Sequence, residues 1–189
     1  MANKDAAFGL KPIGKIGQNA DNNGLSEYDI GASATAIYFQ DPVAMAATGT
    51  VTVAAAGGVL LGSLNGVFFT DATTSKPTFA NHLNASNTAT DIKGFVTDDP
   101  YQRYEVQSDN SGASAQTDIG NVADIVYAAG SSPDYVSKVE LDDSDLATSD
   151  GQLKVIGVSR DPENNELGSA NVNFVVTINE HFLKQEAGV

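Results

Sequence analysis

Residues 172–179, VNFVVTIN, determine the fold class of this chain, because their side chains alternate along it. One set of alternate positions is entirely apolar: Val172, Phe174, Val176 and Ile178. The intervening positions are mostly polar: Asn173, Val175, Thr177 and Asn179. Successive side chains of a β-strand point to opposite faces, so this period of two predicts a strand with one buried face. Strands of this one-sided kind are typical of antiparallel sheets.

Short runs rich in Val, Ile, Phe, Tyr and Thr occur along most of the chain, separated by Gly and Asn/Asp clusters. They predict ten strands, at residues 35–39, 50–55, 59–61, 66–70, 92–97, 103–108, 122–128, 135–141, 153–159 and 172–179. Helical periodicity is nearly absent, so we predict an all-β antiparallel sandwich or barrel. The polar stretches at residues 71–91 and 109–118 are expected to be mobile surface loops.

The first 29 residues differ in composition from the rest. Residues 1–20 carry a net charge of +2, whereas the remaining chain carries −16. Gly9, Pro12, Gly14 and Gly17 interrupt any helix, and residues 18–29 have the Asn, Asp and Gly content of a turn or linker. We therefore predict an extended N-terminal arm and linker at residues 1–29, followed by a β-rich body at residues 30–189.

The arm is a candidate partner-binding element. It has too little apolar surface to order itself, so its apolar side chains are expected to fill shallow grooves on a partner, while its lysines attract an acidic surface. These residues are Lys4, Phe8, Leu10, Lys11, Ile13, Lys15 and Ile16. A frayed terminus is the alternative. If the arm only binds, deleting residues 2–17 leaves the stability of the body nearly unchanged.

Composition excludes several classes of function. The chain has no cysteine, hence no disulfide, thiolate metal site or cysteine nucleophile. A net charge of −14 opposes binding to nucleic acid. We interpret the acidity as a device for solubility, with the binding of cations or of a basic protein as the alternative. No apolar stretch is long enough to span a bilayer and the N-terminus does not resemble a secretory signal, so we expect synthesis in a cytoplasm and no membrane partner.

No pattern predicts catalysis. His82 and His181 lie about a hundred positions apart, and we expect both at the surface rather than acting as general bases. The acidic run of residues 142–145 lacks the ligand spacing of a calcium loop. Asp98 and Asp99 precede Pro100, and we expect their carboxylates to diverge and to cap a turn. The sequence therefore predicts no catalytic residue, no metal site and no cofactor, and the chain is not expected to be an enzyme.

Several stretches resemble the small virion proteins of tailed bacteriophages that act as capsid cement or decoration proteins. They are MANKDAAFGLKPIGK at residues 1–15, DDPYQRYEVQSD at 98–109, TDIG at 117–120, VELD at 139–142, QLKVIGVSRDPEN at 152–164 and VVTINEH at 175–181. The resemblance covers most of the chain and is densest in its C-terminal half.

The resemblance implies a homotrimer on the outer surface of the phage head that binds the major capsid protein and stabilises contacts between capsid subunits. It implies a β-tulip, jelly-roll-like or immunoglobulin-like body without distinguishing among them. The alternative is a β-rich binding module, such as a head fibre, a tail component or a carbohydrate-binding surface protein. Sugar-binding β proteins usually offer exposed aromatic platforms, and the absence of tryptophan counts against that alternative.

Overall fold

The computed structural model describes residues 3–17, 24–32 and 34–185, and they form an antiparallel β-sandwich. The prediction of an all-β fold is confirmed, and of the two architectures expected the sandwich is the one found. The strands in the described ranges are β1 (Lys11–Lys15), β2 (Ser26–Asp29), β3 (Pro42–Met45), β4 (Val51–Val53), β5 (Gly62–Thr70), β6 (Pro77–Ala80), β7 (Lys93–Thr97), β8 (Gln102–Gln107), β9 (Val122–Ala123), β10 (Ile125–Val126), β11 (Glu140–Leu141), β12 (Leu153–Val158) and β13 (Asn173–Ile178).

Two sheets make up the sandwich. Sheet A has the strand order β1-β8-β13-β12-β9, and sheet B has the order β2-β7-β5-β3-β4, with β6 also paired to β5. Strands β10 and β11 form a separate small pair. The described part of the chain also contains three 3₁₀ helices of three residues each, at Gln116–Asp118, Asp143–Asp145 and Phe182–Lys184. None of the helices in the described ranges has the length and apolar character needed to cross a membrane.

The core of sheet A forms as the alternation predicts. Phe174, Val176 and Ile178 of β13 are buried on its inner face, next to Tyr104 and Val106 of β8. The Tyr104 hydroxyl donates a hydrogen bond of 2.7 Å to the Thr97 carbonyl oxygen, at the end of β7. Because β7 belongs to sheet B, this buried bond links the two sheets while it satisfies the one polar atom of a large core side chain.

Strand β6 corrects the prediction of a mobile loop at residues 71–91. It pairs antiparallel with β5, with Phe79 opposite Phe68. The Asp71 carboxylate accepts hydrogen bonds from the backbone N–H groups of Thr73 and Thr74, which turns the chain back after β5. The polar composition that predicts a loop belongs mainly to this turn and to the residues after β6.

The N-terminal segment is part of the sandwich. Strand β1 pairs antiparallel with β8 and forms the edge of sheet A, with Lys11 opposite Glu105 and Lys15 opposite Gln102. Leu10, just before β1, is completely buried in the core of sheet A. The expectation that residues 1–17 do not order themselves is therefore wrong for the described part. Pairing with a neighbouring strand supplies the hydrogen bonds and the burial that the segment lacks alone.

Side chains of the body also hold the residues before β1. The Gln107 amide accepts from the Ala6 backbone N–H at 2.8 Å and donates to the Lys4 carbonyl oxygen at 3.0 Å. The Asn164 amide donates to the same Lys4 oxygen at 2.7 Å. Asn3 donates to the backbone carbonyl oxygens of residues 166 and 170. The segment is thus hydrogen-bonded to the body from residue 3 onward.

Gly9 sits where no other residue fits. Its φ is +77°, in the left-handed region that favours glycine, and a Cβ there would lie 2.4 Å from the Gln40 carbonyl oxygen and 2.5 Å from Ser137 Cβ. This close approach allows the Leu10 N–H to donate to the same Gln40 oxygen at 2.9 Å. Gly9 therefore allows the N-terminal segment to pack closely against the body.

We predict that Gly9→Ala lowers the free energy of unfolding by at least about 2 kcal/mol more than Gly17→Ala does, because it adds overpacking to the same backbone strain. Gly17 is the matched control, since its φ is +72° and nothing lies within 4 Å of a Cβ placed there. Urea denaturation followed by circular dichroism measures both variants. Equal losses would show that Gly9 is not closely packed.

Candidate interaction surfaces

The seven residues predicted to bind a partner have different environments. Leu10 is buried in the core, so in this fold it stabilises the body and is not available to a partner. Lys4 is exposed, and Phe8 is half-buried, with Lys11 Nζ 5.8 Å from the centre of its ring. Ile13 and Ile16 are 40% and 41% exposed. The partner-binding role of this set stays a prediction, and the two isoleucines are the apolar members that remain accessible.

Two of the lysines form ion pairs within the chain. Lys11 Nζ lies 3.1 Å from Glu105 Oε2, and the Ser159 hydroxyl donates to the other oxygen of this mostly buried carboxylate. Lys15 Nζ lies 2.8 Å from Asp99 Oδ2, and this hydrogen bond lowers the pKa of Asp99. These lysines neutralise carboxylates of the body beside β1, a role that the sequence alone did not indicate.

Exposed apolar side chains occur on β1 and on the segments next to it. Ile13 and Leu25 line a cleft of about 240 Å³, which Thr97 and Gln102 also line. Leu25 is 41% exposed, and Tyr101, whose carbonyl oxygen accepts from the Ile16 N–H, is 56% exposed. We call Ile13, Ile16, Leu25 and Tyr101 the β1 surface. It lies at the side of the sandwich, where the edge strand of sheet A meets residues next to sheet B.

A second exposed apolar cluster lies on the outer face of sheet B. Phe79 of β6 is 74% exposed, and its ring centre lies 4.8 Å from that of Phe68 and 6.4 Å from that of Phe95. The three rings come from the adjacent strands β6, β5 and β7. We call Phe68, Phe79 and Phe95 the phenylalanine face. Clusters of large aromatic side chains on a solvent-facing surface are typical of interaction surfaces.

The sequence did not predict this cluster, because it depends on strand register. Phe68 and Phe95 fall in predicted strands, but Phe79 falls in a stretch expected to be a loop. Their meeting requires that residue 68 lies opposite residue 79 and beside residue 93. The one available signal was the short run PTFA between turn residues, which is weak evidence for a strand.

The two histidines take different positions: His82 is half-buried and hydrogen-bonded to Asn81 at the surface, as expected, whereas His181 is not at the surface. The ring of His82 stacks on Tyr135 at a centroid distance of 3.8 Å. His181 is buried, so the expectation of a surface position is wrong for it. Its Nδ1 accepts a hydrogen bond of 3.1 Å from the Leu183 N–H, which favours the neutral ring with the proton on Nε2. His181 therefore caps the 3₁₀ helix Phe182–Lys184.

The carboxylates of Asp98 and Asp99 diverge, as predicted. Asp98 accepts hydrogen bonds from the hydroxyls of Ser26 and Tyr28, on one side of the chain. Asp99 accepts from the Tyr101 N–H at 2.8 Å, which confirms its role as a turn cap. Asp142 caps the 3₁₀ helix Asp143–Asp145 by accepting from the Ser144 N–H. Within the described ranges, no three His, Asp or Glu side chains form a group suited to a metal ion.

Comparison of this chain with known protein families, with curated proteins and with solved structures found no match. A function for this chain is therefore inferred from its own residues and from the resemblance to phage decoration proteins.

Buried ionisable groups make the stability of this fold depend on pH. Asp41 is fully buried, and its Oδ2 accepts a hydrogen bond of 2.7 Å from the Tyr38 N–H. Burial raises the pKa of Asp41 to about 6, whereas burial lowers the pKa of His181 to about 4. As pH rises from 4 to 6, ionisation of Asp41 destabilises the fold, while loss of the proton from unfolded-state His181 stabilises it. The two effects oppose each other.

We predict that Asp41→Asn changes this balance. The variant cannot ionise at residue 41, so it avoids the loss of stability that ionisation of Asp41 causes in the original chain. The difference in free energy of unfolding, variant minus original chain, should therefore increase by about 3 kcal/mol from pH 3.5 to pH 7. This energy corresponds to a pKa shift of about two units. Thermal or urea denaturation across this pH range measures the difference. Parallel stability curves for the two proteins would show that Asp41 has an ordinary pKa in the fold.

Proposed function

We propose that this chain is a structural virion protein, a cement or decoration protein that binds the outer surface of a tailed-phage head. In this proposal it is made in the host cytoplasm, associates as a homotrimer and binds the major capsid protein. It stabilises contacts between neighbouring capsid subunits without catalysis or a cofactor. The observation that carries the proposal is the β1 surface, a set of exposed apolar side chains on and beside an N-terminal strand that is built into the body.

The stretches that resemble decoration proteins fall mainly in sheet A. The resembling stretches at residues 1–15, 98–109, 152–164 and 175–181 include β1, β8, β12 and the last four residues of β13. These are four of the five strands of sheet A. The resemblance to decoration proteins is therefore concentrated in the sheet whose edge carries the β1 surface.

The energetics suit a protein that occupies many equivalent sites. Full burial of a side chain such as Ile13 or Ile16 contributes about 1.5–3 kcal/mol before ordering costs. Because β1 is already ordered by β8, binding through it does not require a disordered arm to fold. Modest contacts of this kind add up when a multimer engages several subunits at once.

The alternative is a β-rich binding module, such as a head fibre, a tail component or a carbohydrate-binding surface protein. The phenylalanine face favours it, because it supplies an exposed aromatic cluster that the composition did not predict. A glycan-binding screen with the purified chain distinguishes the two functions. A specific sugar ligand that is lost in Phe79→Ser would favour the alternative.

The location of the chain tests the proposal most simply. Cryo-electron microscopy of the virion, or labelling of intact particles, is expected to place the chain on the outer head. Detection only in tails, or only in infected cells and never in virions, would contradict it.

We predict that the double variant Ile13→Asp, Ile16→Asp binds phage heads lacking the protein at least about tenfold more weakly, because two charges replace the exposed apolar contact. Lys138→Asp is the control, since it makes the same change of −2 in net charge at an exposed residue outside both apolar clusters. Cosedimentation with heads measures binding per chain, and melting temperatures verify the fold. Full binding by the double variant, or equal loss in the control, would exclude the β1 surface as the contact.

A further inference from the structure

The outer face of sheet B combines an apolar centre with an acidic side. Beyond the phenylalanine face, β7 carries Lys93 and the edge strand β2 carries Glu27 and Asp29. Lys93 Nζ lies 2.7 Å from Asp29 Oδ1 and 3.4 Å from Glu27 Oε1, so one cation is shared by two exposed carboxylates. This side of the face retains a net negative charge.

The outer face of sheet A has the opposite character. Ile156 is exposed at a register shift in β12, and Val175 of the adjacent β13 is half-buried beside it. Arg103 of β8 and Lys154 of β12 lie on either side of Thr177, in one row across the sheet. Lys154 is exposed and forms no ion pair among the described residues.

Few cations are available to this chain, and their placement is uneven. Lys11, Arg103 and Lys154 bring three of its ten lysines and arginines to the outer face of sheet A, where Glu105 neutralises Lys11. We call Ile156, Val175, Arg103 and Lys154 the basic face. In a chain of net charge −14, a strand face with a net positive charge beside apolar side chains complements the acidic, aromatic outer face of sheet B.

We propose that the phenylalanine face of one copy binds the basic face of a second copy. Phe79 would pack against Ile156 and Val175, and Glu27 and Asp29 would approach Arg103 and Lys154. A symmetric contact between two phenylalanine faces is less favourable, because it brings the carboxylates of both copies together.

The contact is heterologous, since it joins two different surfaces of the same chain. Such contacts close into a ring when the rotation between copies allows it, and otherwise extend into a filament. A closed ring of three copies would satisfy the homotrimer in the proposed function. The inference does not rest on that function, because the contact is measured with purified chain in the absence of phage particles.

The test is sedimentation velocity of the purified chain over a range of concentrations. The original chain is expected to self-associate, and more weakly at about 1 M than at about 0.1 M salt because exposed charges are screened. Lys154→Glu and Glu27→Lys are each expected to weaken association at least about tenfold by placing like charges together. Phe79→Ser should have a similar effect. Lys138→Glu is the control, since this exposed lysine lies outside both faces.

Mixing the two charge variants is the decisive experiment. The carboxylate introduced at position 154 of one variant then faces the ammonium group introduced at position 27 of the other. An equimolar mixture of K154E and E27K is therefore expected to associate more strongly than either variant alone. Unchanged melting temperatures verify that the variants fold.

Three results would overturn the proposal. The first is an original chain that stays monomeric. The second is association that Phe79→Ser removes but both charge variants retain, which would indicate the symmetric contact instead. The third is association that all variants retain, which would place the interface elsewhere.

Discussion

The antiparallel pairing of β1 with β8 is the interaction on which the rest of this structure depends. It places Leu10 in the core of sheet A and brings Lys11 to the mostly buried Glu105 carboxylate. It also places Ile13 in the lining of the cleft at the side of the sandwich. Gly9 makes this possible, because only a residue without a side chain fits against Gln40 and Ser137. One strand thus contributes both to stability and to the surface that we propose for binding.

Three lysines of this acidic chain, Lys11, Lys15 and Lys93, lie where carboxylates would otherwise be unpaired or repel one another. A mostly buried carboxylate such as Glu105 needs a charged or hydrogen-bonding partner, and Lys11 and Ser159 supply both. Lys93 does the same for two neighbouring acids on β2. The remaining excess of negative charge favours solubility, while its uneven distribution gives the two outer faces different charge.

The sequence predicted the fold class because alternation in β13 is a local property of the chain. Residues 174, 176 and 178 are buried as that alternation predicts. It could not predict the phenylalanine face, because Phe79 meets Phe68 only through strand register. It also could not predict the burial of Leu10. The apolar residues of this segment stand among glycines and lysines without a helical or strand period, so their environment depends on the partner strand. Composition therefore indicated an extended N-terminal arm, whereas long-range pairing with β8 makes residues 11–15 an edge strand.

The stability of a chain lacking residues 2–17 tests the central claim most directly, namely that the N-terminal segment is a structural strand of the body. Urea denaturation followed by circular dichroism compares this chain with the full one. Loss of Leu10 burial alone is expected to lower the free energy of unfolding by about 2–5 kcal/mol, and loss of the β1–β8 hydrogen bonds adds to it. The account therefore predicts a much lower denaturation midpoint or failure to fold. An unchanged midpoint would contradict it and would restore the interpretation of residues 1–17 as a separate binding arm.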